Sequence, residues 1–390
     1  MLSILGVLIF LLPLALSSSN SVEPDALLSS LYFVLLLVFS ALWIMLKGLS
    51  FEKLRSIKYP LFFFALLLIL TTVFSLRQSQ NLNEICKYAM GFILFLLIAP
   101  LSEEEKKRLL PEIVLTSLVI SFLAIYQYFF GFQLLLNYLK ETKIADPFVL
   151  EKIAERRVFF PFPTPAILGG YLAMILPLTL GPKKRILFLL PLAAALLLTK
   201  SLGALLSLGI VFTIFFLMQP HSRMKKCLVL LTFVTILGGM FLLRAESPRQ
   251  SLLPFFSMAS RFTYWRDTWE IIRVHPLTGV GFGNFDLTGS RYAHNSFLQL
   301  WAEAGLINIA SFLWLIVLVL KNSWRSSESK LKAGLFGGVC VFLVHNLMDF
   351  SFFLPAVSFI WWIMLGLLYS PGAQGEKKLP SESKNLGLSR

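Results

Sequence analysis

The sequence predicts an all-α membrane protein, a polytopic bundle of about twelve transmembrane helices, from its composition and its apolar runs. Hydrophobic residues make up 57% of the chain and charged residues only 14%, whereas about 25% of a soluble protein is charged. Apolar runs long enough to cross a hydrocarbon core of roughly 30 Å recur along the chain. Because these runs are continuous and do not alternate with polar residues, they indicate helices and not the strands of a barrel.

The predicted spans follow one another from residue 2 to residue 370. In chain order they are Leu2–Leu16, Ala26–Leu46, Pro60–Leu76, Ile85–Leu101, Leu109–Gly131, Pro165–Leu180, Ile186–Thr199, Leu202–Met218, Cys227–Leu243, Phe297–Leu320, Leu331–Met348 and Leu354–Ser370. The short runs need flanking residues to cross the core. The first run lacks the basic residues that begin a signal peptide, so we expect an uncleaved helix, with cleavage near Ala15 as the alternative.

Lysine and arginine are concentrated in alternate connections between these spans. Five connections of one parity contain seventeen basic residues, and the short connections of the other parity contain only Arg77, Lys87 and Lys200. Because basic loops stay in the cytoplasm, both termini are predicted to be cytoplasmic, and the long connections 132–164 and 244–296 are predicted to be periplasmic loops. The same bias accounts for most of the net charge of +14 and requires no nucleic-acid partner.

Residues 1–370 are therefore predicted to form a single integral membrane domain. Residues 371–390, rich in Gly, Ser, Lys and Glu, are predicted to be a disordered cytoplasmic tail. The three cysteines, Cys86, Cys227 and Cys340, belong to separate spans and lack the spacing of metal ligands. We therefore expect neither a disulfide framework nor a metal site.

The second periplasmic loop uses arginine and no lysine. Its arginines are Arg244, Arg249, Arg261, Arg266, Arg273 and Arg291. The planar guanidinium group binds two phosphate oxygens at once, which a lysine ammonium group cannot do. This usage predicts a phosphate-binding surface outside the membrane.

An amphipathic helix is predicted within this loop, from Ser260 to Pro276, lying on the membrane surface. Its apolar face would hold Phe262, Trp265, Trp269 and Ile272, and its polar face Arg266, Glu270 and Arg273. Arg266 and Arg273 can simply pair with Glu270 on a solvated face. Arg261 has no carboxylate three or four residues away, so it is the stronger phosphate-binding candidate.

His294 is the candidate catalytic base. It opens the tenth span at the water boundary, next to Asn295 and Ser296, where a neutral imidazole can take a proton from a hydroxyl group near neutral pH. A structural, hydrogen-bonded histidine is an equally good interpretation of this residue. Glu303, about two turns inside the span, needs a partner such as an arginine or an amide, because a carboxylate is costly to bury unpaired.

Further polar groups are expected on the same side of the membrane as His294. They are Arg156 and Arg157 in the first long loop, Lys200 at a short turn, and His345, Asn346 and Asp349 at the end of the eleventh span. His345 with its neighbours either completes the site or stabilises the turn. The glycines at 279, 281 and 283 lack the flanking strand and helix of a nucleotide-binding loop, so we expect a tight turn that presents N–H groups to an anion.

Four stretches of the sequence form a recognisable set. They are 162–172 (Phe-Pro-Thr-Pro-Ala-Ile-Leu-Gly-Gly-Tyr-Leu), 261–285 with its Gly-Val-Gly-Phe-Gly, 294–305 with its His-Asn-Ser and Glu-Ala-Gly, and 345–355. With these stretches, the chain resembles the O-antigen ligase and polymerase family of bacterial membrane glycosyltransferases over roughly residues 156–368. The stretch 294–305 is the most specific of the four.

The resemblance implies an O-antigen ligase-like enzyme of lipopolysaccharide biosynthesis, a multi-pass protein of the bacterial inner membrane with its site facing the periplasm. The donor would be a glycan linked to undecaprenyl pyrophosphate and the acceptor lipid A-core or a polysaccharide, with no metal or nucleotide cofactor. Carried over, His294 is the base, and Arg261 with Arg266 binds the donor pyrophosphate. Arg157 and Lys200 are further donor-binding candidates, and Asn295, Glu303 and His345 support the site.

Several alternatives remain at this point. Many relatives have an arginine where this chain has Leu202, and whether Lys200 replaces it stays open. A polymerase that joins repeat units would use the same chemistry, and nothing in the sequence separates it from a ligase. A transporter is less favoured, because transporters place ionisable groups near the bilayer midplane and these spans are nearly free of charge apart from Glu303.

Overall fold

The computed structural model describes residues 1–17, 23–73, 78–142, 147–180, 185–245, 256–287, 290–324 and 329–370. Within these ranges the chain folds into fifteen α-helices. They are α1 (Leu2–Ala15), α2 (Glu23–Lys47), α3 (Lys58–Val73), α4 (Gln78–Ile98), α5 (Glu103–Tyr126), α6 (Phe132–Thr142), α7 (Pro147–Ala154), α8 (Pro165–Ile175), α9 (Arg185–Leu198), α10 (Leu202–Met218), α11 (Arg223–Ala245), α12 (Phe256–Val274), α13 (Ser296–Trp324), α14 (Lys330–His345) and α15 (Pro355–Leu368).

Four helical stretches are long and apolar enough to cross a membrane, namely Leu27–Lys47, Phe51–Thr71, Glu103–Thr142 and Ser296–Trp324. Shorter apolar helices accompany them at Leu2–Ala15, Pro165–Thr179, Ile186–Leu198, Leu202–Met218 and Pro355–Leu368. The predicted all-α membrane class is confirmed for the described residues. The number of twelve spans and the orientation of the termini stay predictions, and the predicted tail 371–390 lies outside the described residues.

The connection 132–164, expected as a loop, contains two helices. The chain continues from α5 through a π-helical turn, Gln127–Gly131, directly into α6, and α7 follows. Gly131 does not end the helix, because the residues on either side of the π-helical turn, Tyr126 and Phe132, keep ordinary helical backbone angles.

Helix α15 lies in the centre of the bundle. Every residue from Ala356 to Leu368 is buried. Trp362 meets the ring of Phe95 edge-on, with ring centroids 6.1 Å apart. Helix α4 approaches α15 closely because Gly91 has no Cβ, and a Cβ there would overlap the Trp362 ring. Small residues permit such close packing, which stabilises helix pairs in a membrane.

Helix α13 is interrupted at Gly305, whose φ of 81° and ψ of 168° are not helical. The connection from α12 replaces the lost helical hydrogen bonds, since the N–H of Leu306 donates to the Pro276 carbonyl (2.9 Å). The approach is close enough to require glycine, because a Cβ on Gly305 would overlap the backbone of Leu277. The interruption therefore fixes the beginning of α13 against the connection that follows α12.

Candidate active site

Hydrogen bonds of Ser296 join the beginning of α13 to the end of α14. Its N–H donates to the carbonyls of Asn346 (2.9 Å) and Asp349 (3.1 Å), and its hydroxyl donates to Asn346 Oδ1 (2.7 Å). The same Oδ1 accepts from the N–H of Phe352 (2.9 Å). His294 and Asp349, distant in sequence, are thereby brought to the same end of the bundle.

His294 is held in an unusual backbone conformation between two aromatic rings. Its φ is 52°, in the left-handed region that non-glycine residues rarely adopt. The imidazole stacks on Tyr264, with centroids 5.7 Å apart, and meets Phe350 edge-on at 4.8 Å. Its Nδ1 is buried and has no hydrogen-bond partner among the described residues. Backbone strain and an unsatisfied buried nitrogen are both typical of functional sites.

The surroundings of His294 favour the neutral imidazole. Burial lowers the pKa of His294, while the nearby charges act in opposite directions, Asp349 raising this pKa and Arg261 lowering it. Because the resulting pKa lies below the ordinary value of about 6.5, the ring is neutral at pH 7. A neutral ring has a lone pair that can accept a proton.

Asp349 is a buried carboxylate that interacts with several residues of this site. It is 1% exposed, its Oδ1 accepts from the N–H (2.9 Å) and hydroxyl (2.5 Å) of Ser351, and its Oδ2 lies 3.8 Å from His345 Nε2. Its charge acts on both Arg261 and His294. The sequence identifies Asp349 only as a neighbour of His345 that either completes the site or stabilises the turn. Spacing along the chain does not show that Asp349 lies near Arg261 and His294.

Arg261 lies on the buried face of α12, one turn before Tyr264. Burial lowers the pKa of its guanidinium group, and the Asp349 carboxylate raises it. The cation is therefore partly withdrawn from water and interacts with a compensating charge. A guanidinium group in such surroundings acts more strongly on a phosphate than one in open water, because the local dielectric constant is lower.

Arg266 lies on a different face of α12. Five positions separate it from Arg261, which corresponds to about 140° around a helix. Its side chain is 75% exposed and pairs with Asp267 at 3.2 Å, so the suggested pairing with Glu270 is wrong for Arg266; Glu270 pairs with Arg273 at 3.3 Å. The structure brings Arg261 and not Arg266 to the histidine.

The predicted apolar face of α12 is wrong in part. Ile272 is buried as expected, but Phe262 and Trp269 are 57% and 40% exposed. Tyr264 and Thr268 contribute to the packed face in their place, and Thr268 is fully buried. Tyr264 stacks on His294, and the partly exposed Trp269 meets the ring of Trp301 on α13 edge-on, with ring centroids 5.6 Å apart.

The stretch that carries this histidine and this arginine matches a known family. The family model described as O-antigen ligase matches residues 187–313. This stretch is similar to O-antigen ligases. A search of curated proteins finds no match. The family match confirms the resemblance drawn from the sequence. It includes Lys200, Arg261, His294 and Glu303, whereas Arg157, His345 and Asp349 lie outside it.

Arg157 and Lys200 connect the segment before α8 to the short turn before α10. Arg157 Nε donates to the Thr199 carbonyl (3.1 Å), and its Nη1 pairs with Glu155 Oε2 (3.3 Å). Lys200 Nζ donates to the Glu155 carbonyl (2.9 Å). Burial lowers the pKa of Arg157, which also lies close enough to Arg261 for their charges to interact. Both predicted donor-binding residues therefore have structural contacts.

His345 packs against the glycines of α8 and α10. It is 2% exposed, a Cβ on Gly170 would overlap its ring, and Gly203 lies on its other side. Neither ring nitrogen has a hydrogen-bond partner among the described residues. The Gly-Gly pair of the 162–172 stretch thus brings α8 against the histidine that faces Asp349.

Asn295 and Glu303, both within the matched stretch, have hydrogen-bond partners. Asn295 Oδ1 accepts from the N–H groups of Phe297 and Leu298, both at 3.1 Å, and so caps α13. Glu303 Oε1 accepts from Gln299 Nε2 (2.9 Å). The carboxyl group inside the span is therefore paired with an amide.

The expectation of an anion-binding turn at the alternating glycines is wrong for residues 279–281, whereas the N–H of Gly283 donates to the Glu303 carboxyl group. The N–H groups of residues 279, 280 and 281 donate to the carbonyls of His275 (3.0 Å), Ala302 (2.9 Å) and Glu303 (2.8 Å) respectively. These donors satisfy carbonyls next to the interruption at Gly305, so they are not available to an anion. Glycine is needed at 279 for this close approach, since its φ is 69° and a Cβ would overlap the Glu303 backbone.

Proposed function

We propose that this protein transfers a glycan from undecaprenyl pyrophosphate to a hydroxyl group of lipid A-core at the periplasmic face of the bacterial inner membrane. One observation carries the proposal: His294, with a lowered pKa and an unsatisfied buried nitrogen, stacks on Tyr264, one helical turn after the partly buried Arg261, whose charge acts on the imidazole. Glycosyl transfer from a pyrophosphate needs such a pair, because the acceptor hydroxyl loses a proton while the leaving group gains negative charge.

In the proposed step, the acceptor hydroxyl oxygen bonds to the anomeric carbon of the donor as the bond from that carbon to the phosphate oxygen breaks. His294 takes the hydroxyl proton, and undecaprenyl pyrophosphate leaves with the electron pair of the broken bond. A single displacement of this kind inverts the anomeric configuration.

Arg261 is the proposed binding group for the pyrophosphate, held in place before the substrate arrives by its burial and by the charge of Asp349. A preorganised cation stabilises developing charge without reorganising during the reaction. Arg157, Lys200 and Arg266 remain candidates for the same role. A bound pyrophosphate would have to compete with the groups these side chains now contact, which are Glu155 and Thr199 for the first two and Asp267 for Arg266.

The proposed reaction uses neither a metal ion nor a nucleotide sugar, because guanidinium groups meet the charge of the leaving pyrophosphate. A ligase is proposed ahead of a polymerase because the matching family model is described as O-antigen ligase. Both reactions place a hydroxyl group at the same base, and they differ in which molecule provides it.

The proposal is tested with purified protein, undecaprenyl-pyrophosphate-linked glycan and lipid A-core, with EDTA present and no nucleotide. We expect glycan on lipid A-core and release of undecaprenyl pyrophosphate. Lengthening of the lipid-linked glycan without transfer to the core would instead show a polymerase. Absence of both products with purified, folded protein would contradict the proposed transferase activity for these substrates.

A further inference from the structure

Gln299 connects Glu303 to the backbone next to His294. The N–H of Ala293 donates to Gln299 Oε1 (3.0 Å), and Gln299 Nε2 donates to Glu303 Oε1 (2.9 Å). The three residues are 0%, 2% and 3% exposed respectively. Two hydrogen bonds therefore run from a carboxyl group inside α13 to the residue that precedes the proposed base.

The chemistry of the two end groups fixes which way the Gln299 amide points. The N–H of Ala293 can only donate a hydrogen bond, so it requires the amide oxygen. Glu303 Oε1 accepts whether the carboxyl group is ionised or carries its proton on Oε2, so it requires the amide nitrogen. Only one of the two amide orientations satisfies both ends.

The backbone on both sides of His294 is held by buried partners. Ala293 is bound by Gln299 on one side, and Ser296 is bound by the carbonyls of Asn346 and Asp349 on the other. Between them His294 has its φ of 52°. A conformation of this kind persists only where the surrounding structure imposes it.

We infer that Glu303 and Gln299 are positioning residues for His294, acting through Ala293 to hold the imidazole between Tyr264 and Phe350. This inference rests on the proposed function of His294 as the base. Neither Glu303 nor Gln299 is proposed to contact a substrate. The inference explains why a carboxyl group lies two turns inside a membrane span. A residue needed there only for packing could have been apolar.

Four variants separate positioning from general stability. Glu303→Gln keeps an oxygen acceptor for the Gln299 amide, whereas Glu303→Leu and Gln299→Leu break the connection. Asn308→Leu is the matched control, because Asn308 is a buried amide on the same helix, 1% exposed, and is not part of this chain of hydrogen bonds.

The first readout needs no substrate. Diethyl pyrocarbonate modifies accessible imidazoles, and mass spectrometry of the His294 peptide gives the rate for that residue. We expect wild type, E303Q and N308L to react slowly and at the same rate, and E303L and Q299L to react severalfold faster. Unchanged rates in E303L and Q299L, or an equal increase in N308L, would overturn the inference.

The second readout is steady-state transfer. In E303L and Q299L we expect kcat to fall by about 100-fold, the size of effect that a displacement of about 1 Å has on a catalytic group. We expect KM for the lipid-linked donor to stay unchanged and E303Q to retain most of kcat. A loss of activity that follows the amount of folded protein, with N308L equally affected, would show a structural role and overturn the inference. If wild type transfers no glycan, the proposed function fails, and the modification rates still decide the positioning of His294.

Discussion

The imidazole of His294 stacks on the ring of Tyr264, with ring centroids 5.7 Å apart and planes inclined by 21°. Tyr264 lies one helical turn after Arg261, so this contact links the position of the proposed base to that of the proposed phosphate-binding cation. Phe350 meets the imidazole from the segment after α14. The site is thus assembled by aromatic contacts between three separate segments of the chain.

Replacing Tyr264 by alanine should lower the transfer rate by about 3- to 10-fold, because an aromatic pair contributes about 0.5–1.5 kcal/mol. Tyr264→Phe keeps the ring and should stay close to wild type. Phe262→Ala, on the exposed side of the same helix, is the control. Initial rates at saturating donor measure the effect, and equal losses in Y264F and Y264A would show that the hydroxyl group and not the ring is required.

Replacing Arg261 by lysine should lower kcat/KM for the donor by about 100-fold, because one preorganised charge-stabilising group has an effect of that size. Lysine keeps the charge but cannot bind two phosphate oxygens in one plane. Arg273→Lys is the matched control, since Arg273 is exposed and paired with Glu270 on the same helix. Similar kinetics for R261K and R273K would contradict the role of Arg261.

The pH dependence of transfer should report the pKa of His294. The base works when it is deprotonated, so the rate falls as pH falls through its pKa, and burial places that pKa below the ordinary value. We therefore expect wild type to retain activity below about pH 6.5.

Removing the charge of Asp349 and removing the charge of Arg261 should shift the acidic limb of the pH profile of kcat/KM in opposite directions. Asp349→Asn removes the charge that raises the pKa of His294, so the limb should move to lower pH. Arg261→Gln removes the charge that lowers this pKa, so the limb should move to higher pH. Profiles between about pH 5 and pH 9 measure both shifts, and a shift in the same direction for both variants would rule out His294 as the titrating base.

Replacing Gly305 by alanine should destabilise the fold by at least about 1 kcal/mol, because its φ of 81° and ψ of 168° lie in a region almost restricted to glycine, which costs another residue about 1–3 kcal/mol. The added Cβ would also push the backbone of Leu277 away. Gly239→Ala is the control, since a Cβ there meets nothing within 4 Å. Thermal unfolding in detergent should show a lower Tm for G305A only, and equal Tm values would contradict the role of the interruption in α13.

The sequence predicts the class of the fold better than the details of the site. Continuous apolar runs are sufficient for membrane helices, because a hydrocarbon environment leaves few other structures. The orientation of α12 was not predictable in this way, since hydrophobicity alone favours burial of Trp269, whereas the smaller Thr268 is fully buried and Trp269 is 40% exposed.

Residue type and spacing identified His294 and Arg261 as candidates, but not their surroundings. Asp349 acts on both from a segment more than fifty residues beyond the histidine, a proximity that only the folded chain creates. The role of the N–H groups at residues 279–281 was not predictable, because they bind near the interruption at Gly305, and that interruption leaves no signal in a sequence that is otherwise helical.

The most direct test of the account measures donor binding and glycan transfer together in His294→Asn, with His294→Ala alongside. Asparagine tolerates the left-handed backbone at this position, so the fold should be kept while the proposed base is removed. We predict that both variants bind undecaprenyl-pyrophosphate-linked glycan with the affinity of wild type and transfer none of it. Transfer at a wild-type rate, or loss of donor binding in a folded H294N protein, would contradict the assignment of His294 as the base.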